Sequence, residues 1–544
     1  MSTFVQQLFV LSLALLAACV AQAEPSRPRL IIAIVVDQLS GDLFNEYRAH
    51  FSGGFKRLAS GVVFPRGYQS HAATETCPGH STILTGARPA RSGIIANHWF
   101  DQALARADKQ VYCVEDEQAP GSHSRRYSVS PRHLRVPTLG MRMKAQDGAT
   151  RVVAVAGKDR SALLLAGSNA DQLWWWGGEG FVSVAGATTP AVVTRINDSV
   201  RQQLATAQPP LPLPAWCKPR DYAVAVAGGQ HIGTGRFVRQ AGDAQAWRAS
   251  PALDSATLEL AGALLDDLSL GRGPQTDLLA IGVSATDYVG HGYGTAGSEM
   301  CLQLDALDRA LEKFLLQVDA RDIDYLVVLT ADHGGHDAPE RSDQNAIPDA
   351  IRVDPALMPA ALSAALAQQL NLSQAVVLGD GANGDFYLAR DLDAAQRDAV
   401  SQAALRLWRQ HRQVAAVFTR EEILRQPTPS GPPDQWSLLD AVRAGFDAQR
   451  SGDFVVLLKP HVTPIPQAAP GYVATHGSPW DYDRRVPILF WRKGMAGFEQ
   501  ANSIETVDIM PTLAAQIGLP VPAAEVDGRC LDLERGEGDS CASR

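Results

Sequence analysis

The sequence predicts a doubly wound α/β fold: a mostly parallel central sheet, helices on both of its faces, and inserted segments that cap it. Four continuous apolar runs each end at polar residues, and helical patterns lie between them, so strands and helices alternate along the chain. Continuous apolar runs are typical of parallel strands that are buried on both faces. In such sheets the ligand site lies outside the carboxyl ends of the strands.

Each predicted strand delivers a polar group to that edge of the sheet. The apolar runs are residues 30–36, 152–157, 278–286 and 325–331, and they lead to Asp37, Lys158, Asp287 and the pair Asp332-His333. Helical patterns cover residues 296–318 and 505–517. Because parallel strands end at one edge, we expect these polar side chains to lie close together.

Three long stretches interrupt this alternation, near residues 98–150, 170–275 and 337–470. They contain proline-rich joints at residues 208–215 and 426–434, which favour insertions packed over the sheet rather than tandem domains. We therefore expect one catalytic domain over residues 24–544 that carries these insertions. The run Trp174-Trp175-Trp176 in the second insertion fits either ordinary packing or the wall of a substrate pocket.

A glycine motif at residues 379–384 matches the GxGxxG pattern of dinucleotide-binding folds. A strand pattern follows it, where a dinucleotide-binding fold would have a helix. We predict an Asn-Gly hairpin turn at this position.

Composition and the N-terminal residues predict a soluble, exported protein. The 544 residues include 49 Lys and Arg and 58 Asp and Glu, and this net charge of −9 is spread along the chain, so no nucleic-acid-binding module is indicated. The apolar run from Leu8 to Val20, followed by small residues up to Ala23, predicts a signal peptide at residues 1–23. The alternatives are a buried N-terminal helix and a lipid anchor at Cys19, which follows a lipobox-like Leu-Ala-Ala. We expect a mature chain without a transmembrane span, periplasmic or secreted.

Six cysteines remain after a cleavage at Ala23, and an even number suits an oxidising compartment. Cys530 and Cys541 lie close together in the sequence, and we expect them to form a disulfide. The other pairings stay open, as do free thiols.

Six candidate metal ligands lie at or just after these strand ends and in a later Thr-His-Gly stretch: Asp37, Asp287, His291, Asp332, His333 and His476. Carboxylate oxygen and imidazole nitrogen together suit zinc. A lone strand-end aspartate is usually a cap, and a lone histidine is usually a hydrogen-bonded polar group. Here each of the three histidines is flanked by glycine, which lets the backbone turn tightly and a metal approach closely.

Thr76 stands where a helix N-cap is expected, with Pro78 in the first turn and the helix ending at Gly86. It fits either an ordinary cap or a nucleophile, because a helix N-terminus favours an incoming phosphate and a metal can activate an alcohol.

Lys158 and Arg160 are two residues apart, so on an extended segment both side chains leave from the same face. They fit either a solvated pair or a grip on the oxygens of a dianionic phosphate. The side chain of Asn97 could donate a further hydrogen bond.

In this order the motifs resemble the alkaline phosphatase superfamily, in its type I phosphodiesterase and nucleotide pyrophosphatase branch, and especially the phosphate-irrepressible alkaline phosphatases that use threonine. The motifs VVDQ, TxTxPGH, GKDR, TDxxGH, TADHG and THG occur in sequence between Asp37 and Asp508. The resemblance implies two zinc ions, one bound by Asp287, His291 and His476 and the other by Asp37, Asp332, His333 and Thr76. It also implies that Asn97, Lys158 and Arg160 bind phosphate, and that small phosphate monoesters are hydrolysed through a covalent phosphothreonine at Thr76.

Three other functions can be compared with this one. A sulfatase needs a CxPxR motif, but Cys77 is followed directly by Pro78, and Ser81 stands where the arginine belongs. A phosphodiesterase or nucleotide pyrophosphatase would use the same metals and Thr76, but the pair of cations favours a doubly charged monoester. A non-catalytic zinc-binding or phosphate-binding protein would not need to retain the nucleophile and every ligand. No ligand set for a magnesium ion can be assigned.

Overall fold

The computed structural model describes residues 27–226 and 229–542. The predicted signal peptide and Cys19 lie outside the described residues. The strands are β1 (Leu30–Val36), β2 (Val62–Tyr68), β3 (His98–Phe100), β4 (Gln110–Tyr112), β5 (Val152–Ala156), β6 (Gln172–Trp176), β7 (Phe181–Val182), β8 (Val224–Val226), β9 (Gln230–Ile232), β10 (Asp277–Val283), β11 (Tyr325–Thr330), β12 (Ile351–Arg352), β13 (Val377–Gly379), β14 (Gly384–Leu388), β15 (Val414–Thr419), β16 (Phe454–Leu458), β17 (Val462–Thr463), β18 (Arg485–Arg492), β19 (Phe498–Glu499) and β20 (Ile504–Glu505).

The helices are α1 (Gly41–Tyr47), α2 (Gly54–Leu58), α3 (Thr76–Thr85), α4 (Pro89–Ser92), α5 (Leu139–Gln146), α6 (Asp159–Ala166), α7 (Ala191–Leu204), α8 (Ala244–Arg248), α9 (Pro251–Asp267), α10 (Ala285–Tyr293), α11 (Ser298–Asp319), α12 (Pro339–Gln344), α13 (Pro359–Gln369), α14 (Ala394–Gln410), α15 (Arg420–Arg425), α16 (Leu438–Gly445), α17 (Asp481–Arg484) and α18 (Ile509–Gln516). Short 3-10 helices cover Ala215–Arg220, Pro355–Leu357, Pro433–Gln435, Thr506–Asp508 and Ala523–Glu525.

A ten-stranded sheet forms the centre of the molecule. Its order is β19-β2-β18-β11-β1-β10-β5-β6-β7, and β20 pairs with β2. The four predicted strands are the adjacent parallel strands β11, β1, β10 and β5, which confirms the predicted fold class. Leu30 lies opposite both Asp277 and Tyr325, so β1, β10 and β11 end at the same level of the sheet.

Two apolar cores cover the faces of this sheet. Successive side chains of β1 point to opposite faces, so Ile32 and Ile34 enter one core while Ile31 and Val35 enter the other. Helices α9 and α11 pack in the first core, and α3, α6 and α18 in the second. Each fully buried side chain of this kind stabilises the fold by about 1.5–3 kcal/mol, which holds the strand ends, and the site on them, in place.

Part of the segment predicted as an insertion near residues 170–275 belongs to the central sheet, because β6 pairs in parallel with β5. The segment near 337–470 contains a separate antiparallel sheet, β13-β14-β16-β15, with its own apolar cluster. The GxGxxG motif links β13 to β14 as a hairpin, which confirms that prediction.

The helical pattern predicted at 296–318 is α11, and the one at 505–517 is a 3-10 turn followed by α18. Cys530 and Cys541 form the expected disulfide, and two more join Cys77 to Cys113 and Cys217 to Cys301. Three disulfides indicate a chain that folds in an oxidising compartment. Within the described ranges, no helix is both long and apolar enough to span a bilayer.

Candidate active site

The six candidate metal ligands lie together at the carboxyl edge of the sheet. Asp37 follows β1, Asp287 lies in the first turn of α10 directly after β10, and Asp332 and His333 follow β11. The ligand atoms of Asp287, His333 and His476 lie within 4.8 Å of one another, as do those of Asp37, Asp332 and His333. His291 follows Asp287 by one helical turn, and its Nε2 is 3.3 Å from Asp287 Oδ1.

The backbone orients each of the three histidine rings. Nδ1 of His291 lies 2.9 Å from the carbonyl of Ala474, and Nδ1 of His333 lies 2.9 Å from that of Gly334. Nδ1 of His476 lies 2.8 Å from the carbonyl of Thr74. A carbonyl only accepts hydrogen bonds, so each Nδ1 carries a proton, and the neutral form of each ring offers the lone pair of Nε2 on the side of the carboxylates. This is the arrangement that metal-binding histidines adopt.

The carboxylates of the cluster are buried, and neighbouring charges shift their pKa values in different directions. Burial, together with the charge of Asp332, raises the pKa of Asp37 well above its ordinary value. Burial would also raise the pKa of Asp287, but His291 and Lys158 hold it well below its ordinary value. Burial lowers the pKa of His333 to about 3, so its ring is neutral at physiological pH.

The cluster fits a metal ion on two grounds. The donors are carboxylate oxygens and imidazole nitrogens, which suit zinc. Asp37 Oδ1, Asp287 Oδ1 and His333 Nε2 are buried and have no hydrogen-bond partner among the described residues. Such atoms are costly to bury unless a cation or donor meets them.

Thr76 is the first residue of α3, and Glu75 holds the N-cap position without a side-chain cap bond. The prediction that Thr76 is the cap was therefore wrong by one residue, and its hydroxyl is free for other contacts. Helix α3 ends at Gly86 as predicted, with a φ of +67°. A Cβ on Gly79 would lie 2.0 Å from the carbonyl oxygen of Asp332, so only glycine lets α3 pack this close to the metal cluster.

Two cations reach the hydroxyl of Thr76. Lys158 Nζ and Arg160 Nη2 each lie 3.4 Å from Thr76 Oγ1. The predicted extended segment for both residues was wrong, because Lys158 is the extended N-cap of α6 and Arg160 lies inside that helix. The two side chains converge although their backbones differ. Lys158 Nζ also lies 2.6 Å from Asp37 Oδ2 and from Asp287 Oδ2.

Asn97 lies beside the start of α3. Its side-chain Oδ1 accepts a hydrogen bond of 2.9 Å from the backbone N–H of Cys77. Its backbone N–H donates to Glu75 Oε2 at 2.6 Å. The Cys77–Cys113 disulfide joins α3 to the end of β4, and the backbone N–H of Cys113 donates to the carbonyl of Asn97 at 2.9 Å. With its oxygen engaged, the Asn97 side chain offers its amide N–H groups to a ligand at the helix start.

Several supporting residues were missed by the sequence analysis. His80 Nδ1 lies 3.0 Å from Asp332 Oδ2, and the backbone N–H of Gln38 donates to Asp332 Oδ1 at 3.1 Å. Tyr112 and Tyr127 donate to the carboxylate of Asp159 at 2.7 and 2.8 Å. The four-residue spacing from Thr76 to His80 was the available signal for His80, since it puts both on one helix face. The tyrosines come from a distant loop and left no such signal.

Comparison with known proteins identifies a family and close relatives over most of the chain. Residues 31–479 match the family model described as type I phosphodiesterase / nucleotide pyrophosphatase. The chain is 57% identical to alkaline phosphatase PhoK of a Sphingomonas species, over 95% of this chain and 93% of that protein. It is 46% identical to alkaline phosphatase PhoD of Zymomonas mobilis, over 95% and 90%.

Among solved structures, the fold is similar to that of wild-type alkaline phosphatase PafA, with a TM-score of 0.80 and 26% identity over 94% of this chain and 99% of that one. The family match spans the strand ends, Thr76 and every candidate ligand. The chain belongs to the type I phosphodiesterase / nucleotide pyrophosphatase family.

Proposed function

We propose that the protein is a metal-dependent alkaline phosphatase that hydrolyses small phosphate monoesters. The observation that carries this proposal is the convergence of Lys158 and Arg160 on Thr76, at 3.4 Å each, beside a cluster of carboxylates and imidazoles. Two cations match the two charges of a monoester, whereas a diester carries one. The alkaline phosphatases PhoK and PhoD are relatives of this chain at high identity.

We propose two zinc ions as the resident metals. Asp287, His291 and His476 would hold one, and Asp37, Asp332, His333 and Thr76 the other. When bound, the ions would act as Lewis acids that stabilise negative charge on the transferring phosphoryl group. The orientation of the three imidazoles and the unpaired carboxylate oxygens support this assignment.

The protein's own residues then perform three tasks. Lys158 and Arg160 hold the phosphoryl oxygens, and Asn97 donates a further hydrogen bond to them. This positions phosphorus at Thr76 Oγ1, which attacks it, so that a P–O bond forms to Thr76 as the bond to the leaving group breaks. The proton that Thr76 gives up ends on the departing oxygen, which leaves as the alcohol. Water then hydrolyses the phosphothreonine and releases phosphate. Placement and charge stabilisation supply most of the rate acceleration.

We also propose the setting in which the enzyme works. Residues 1–23 would be a signal peptide, and residues 24–544 one catalytic domain with insertions near 98–150, 170–275 and 337–470. The three disulfides support export to the periplasm or the medium. A lipid anchor at Cys19 is the alternative to cleavage after Ala23.

The test measures kcat/KM of the zinc-loaded mature protein for an aryl phosphate monoester and for the matching methyl diester, at alkaline pH and after chelation. A large monoester preference that disappears on chelation is expected. A diester preference would instead make the enzyme a phosphodiesterase with the same metals and nucleophile.

The double variant Lys158→Ala with Arg160→Ala tests the charge argument directly. It should damage monoester hydrolysis much more than diester hydrolysis, because the second charge of the monoester loses its partners. Equal losses on both substrates would show that Lys158 and Arg160 do not discriminate between substrates by their charge.

A further inference from the structure

A cavity opens beside the proposed phosphate-binding residues. Its volume is about 800 Å³, and its walls include Lys158, Arg160, Arg248, Tyr288, Trp175 and Trp176. Two of the three consecutive tryptophans therefore border a pocket, which was one of the two interpretations of that run.

Arg248 is a cation in this cavity without a carboxylate partner. Within residues 27–226 and 229–542 its Nε is buried and has no hydrogen-bond partner, and no acidic side chain forms an ion pair with it. Its guanidinium lies 4.3 Å from the ring centroid of Tyr288, a cation–π contact. A guanidinium that is half-buried and unpaired can accept an anion without giving up an existing partner.

Packing fixes the position of Arg248. It is the last residue of α8, and the preceding Trp247 is buried and stacks on Trp176 with ring centroids 4.6 Å apart. The backbone that carries the guanidinium is therefore anchored to the strand that lines the same cavity. An anion site on such a support loses little conformational entropy on binding.

Tyr288 connects this cavity to the proposed phosphate site. Lys158 Nζ lies 5.2 Å from the same ring centroid that Arg248 contacts, and Lys158 also reaches Thr76. Lys158 and Arg160 line the cavity and also lie 3.4 Å from Thr76 Oγ1, so the cavity borders the proposed phosphate site. We therefore expect that a substrate held at Thr76 extends into it.

The charges of the cavity favour an anion. Arg160 and Arg248 are positive, Lys158 is positive but shares its charge with Asp37 and Asp287, and the acidic residue that lines the cavity is Asp159. The carboxylate of Asp159 already accepts hydrogen bonds from Tyr112 and Tyr127. If Lys158 and Arg160 bind the phosphate that is cleaved, the charge of Arg248 is left over for another group.

We propose that this cavity binds a second anionic group, a carboxylate or a phosphoryl group, on the alcohol part of the substrate, and that Arg248 selects for it. The proposal rests on the monoesterase function proposed above and names the substrate class: phosphate monoesters whose leaving group is itself an anion. The tryptophan and tyrosine rings contact the intervening carbon skeleton.

The experiment compares 4-carboxyphenyl phosphate with 4-carbamoylphenyl phosphate, which has nearly the same shape but no second charge. The quantity measured is the ratio of their kcat/KM values at fixed ionic strength and equal metal content. In Arg248→Met this ratio should fall about tenfold relative to the parent protein, the usual effect of losing one charge-assisted hydrogen bond. Arg248→Lys keeps the charge but not the planar fork, and it should retain part of the preference.

The matched control is Arg195→Met, which removes an exposed arginine from α7 without touching this cavity. It should leave the ratio unchanged. A merely structural role for Arg248 would lower both kcat/KM values together, so an unchanged ratio in Arg248→Met would overturn the proposal. Failure of the parent protein to hydrolyse either ester would instead overturn the monoesterase function.

A second substrate pair distinguishes the two kinds of anion. Propane-1,3-diol bisphosphate is compared with 3-hydroxypropyl phosphate in the same variants. A fall in both substrate ratios supports a site for any anion, and a fall in one alone assigns it to a carboxylate or to a second phosphoryl group. No fall in either ratio refutes the site.

Discussion

At the scale of single residues, neighbouring groups define the surroundings of the Thr76 hydroxyl. It begins α3, two cations lie 3.4 Å from its oxygen, and Gly79 lets the helix approach Asp332. The proposed nucleophile therefore needs no neighbouring side chain that acts as a general base. Its position in the charge cluster supplies the activation.

Thr76→Ala should abolish turnover of a phosphate monoester while leaving close to two zinc ions per chain. The remaining ligands are carboxylates and imidazoles whose orientation does not depend on Thr76. Steady-state kinetics and metal analysis by mass spectrometry measure the two quantities on one sample. Thr76→Ser keeps a hydroxyl at this position and serves as the control, with activity expected well above that of the alanine variant. Full activity in Thr76→Ala would remove this residue from the mechanism.

At this scale the sequence predicted which polar residues come together, but not the contacts that orient them. Asp37, Asp287 and Asp332 stood out because each follows an apolar run, a local pattern. The carbonyls that fix His291 and His476 belong to Ala474 and Thr74, which are far away in the chain. Such contacts exist only once the tertiary fold has formed, so no spacing rule could find them.

At the scale of helices and strands, α9 carries an acid that stabilises the start of the helix after it. Asp254 on α9 accepts a hydrogen bond of 2.8 Å from the backbone N–H of Ala285, at the start of α10, and one of 2.7 Å from Gln303 Nε2. Burial nevertheless raises the pKa of Asp254 to about 7. Helix α10 carries Asp287 and His291, so this contact links a core helix to the proposed metal site.

The raised pKa makes stability depend on pH with a defined sign. An unfolded aspartate has a pKa of about 3.9, so between about pH 4 and pH 7 the folded chain binds a proton that the unfolded chain has lost. The contribution of Asp254 to stability is therefore full below about pH 4 and is lost as the pH rises to about 7.

Asp254→Asn removes this pH dependence. Its Tm relative to the parent protein should be higher at pH 8 than at pH 5, as measured by calorimetry. The amide of Gln303 can turn over to present its unpartnered Oε1 to the new amide.

The control for this prediction is Asp266→Asn on the same helix. Hydrogen bonds from Arg321 and Gln317 outweigh its burial and lower the pKa of Asp266, so its stabilisation is present above its unfolded pKa and is lost at lower pH. Because Asp266 is ionised in both the folded and the unfolded chain between about pH 5 and pH 8, the Tm difference of this variant should not change over that range. Parallel changes in the two variants would contradict the assignment to Asp254.

The element boundaries show where sequence reasoning reaches its limit. The central strands β1, β5, β10 and β11 were predictable, because burial on both faces leaves an unbroken apolar run. The run in β18 is also apolar, but its antiparallel pairing with β11 and β2 depends on a long return of the chain. Lys158 and Arg160 were placed on an extended segment, because a Gly-Lys-Asp-Arg sequence does not mark where a helix begins.

At the scale of the whole molecule, disulfides tie distant parts of the chain together. Cys217 and Cys301 are 84 residues apart, whereas Cys530 and Cys541 are 11 apart. The first joins a 3-10 turn to α11 and so attaches the segment after β7 to the helical layer on the sheet.

Replacing both Cys217 and Cys301 with alanine should lower the free energy of unfolding by about 2–5 kcal/mol, because the unfolded chain gains the freedom of a long loop. The same change at Cys530 and Cys541 should cost about 2 kcal/mol less, since that loop is short. Urea unfolding of the oxidised variants measures both. Equal losses would mean that loop length does not set the stabilisation.

Local sequence patterns predicted the part of the architecture that consists of buried parallel strands. The antiparallel sheet of residues 377–458 and the assignment of β6 to the central sheet did not follow, because partners in a sheet are chosen by the folded chain as a whole.

The candidate ligands are spread along almost the entire polypeptide, from Asp37 to His476. During synthesis the chain therefore exposes the last of them only when most of it has already been made. A nascent or truncated chain that stops before His476 carries the nucleophile and most of the cluster but lacks part of the proposed metal site. If the proposed metal site is required for hydrolysis, an unfinished chain of this kind is expected to release no phosphate.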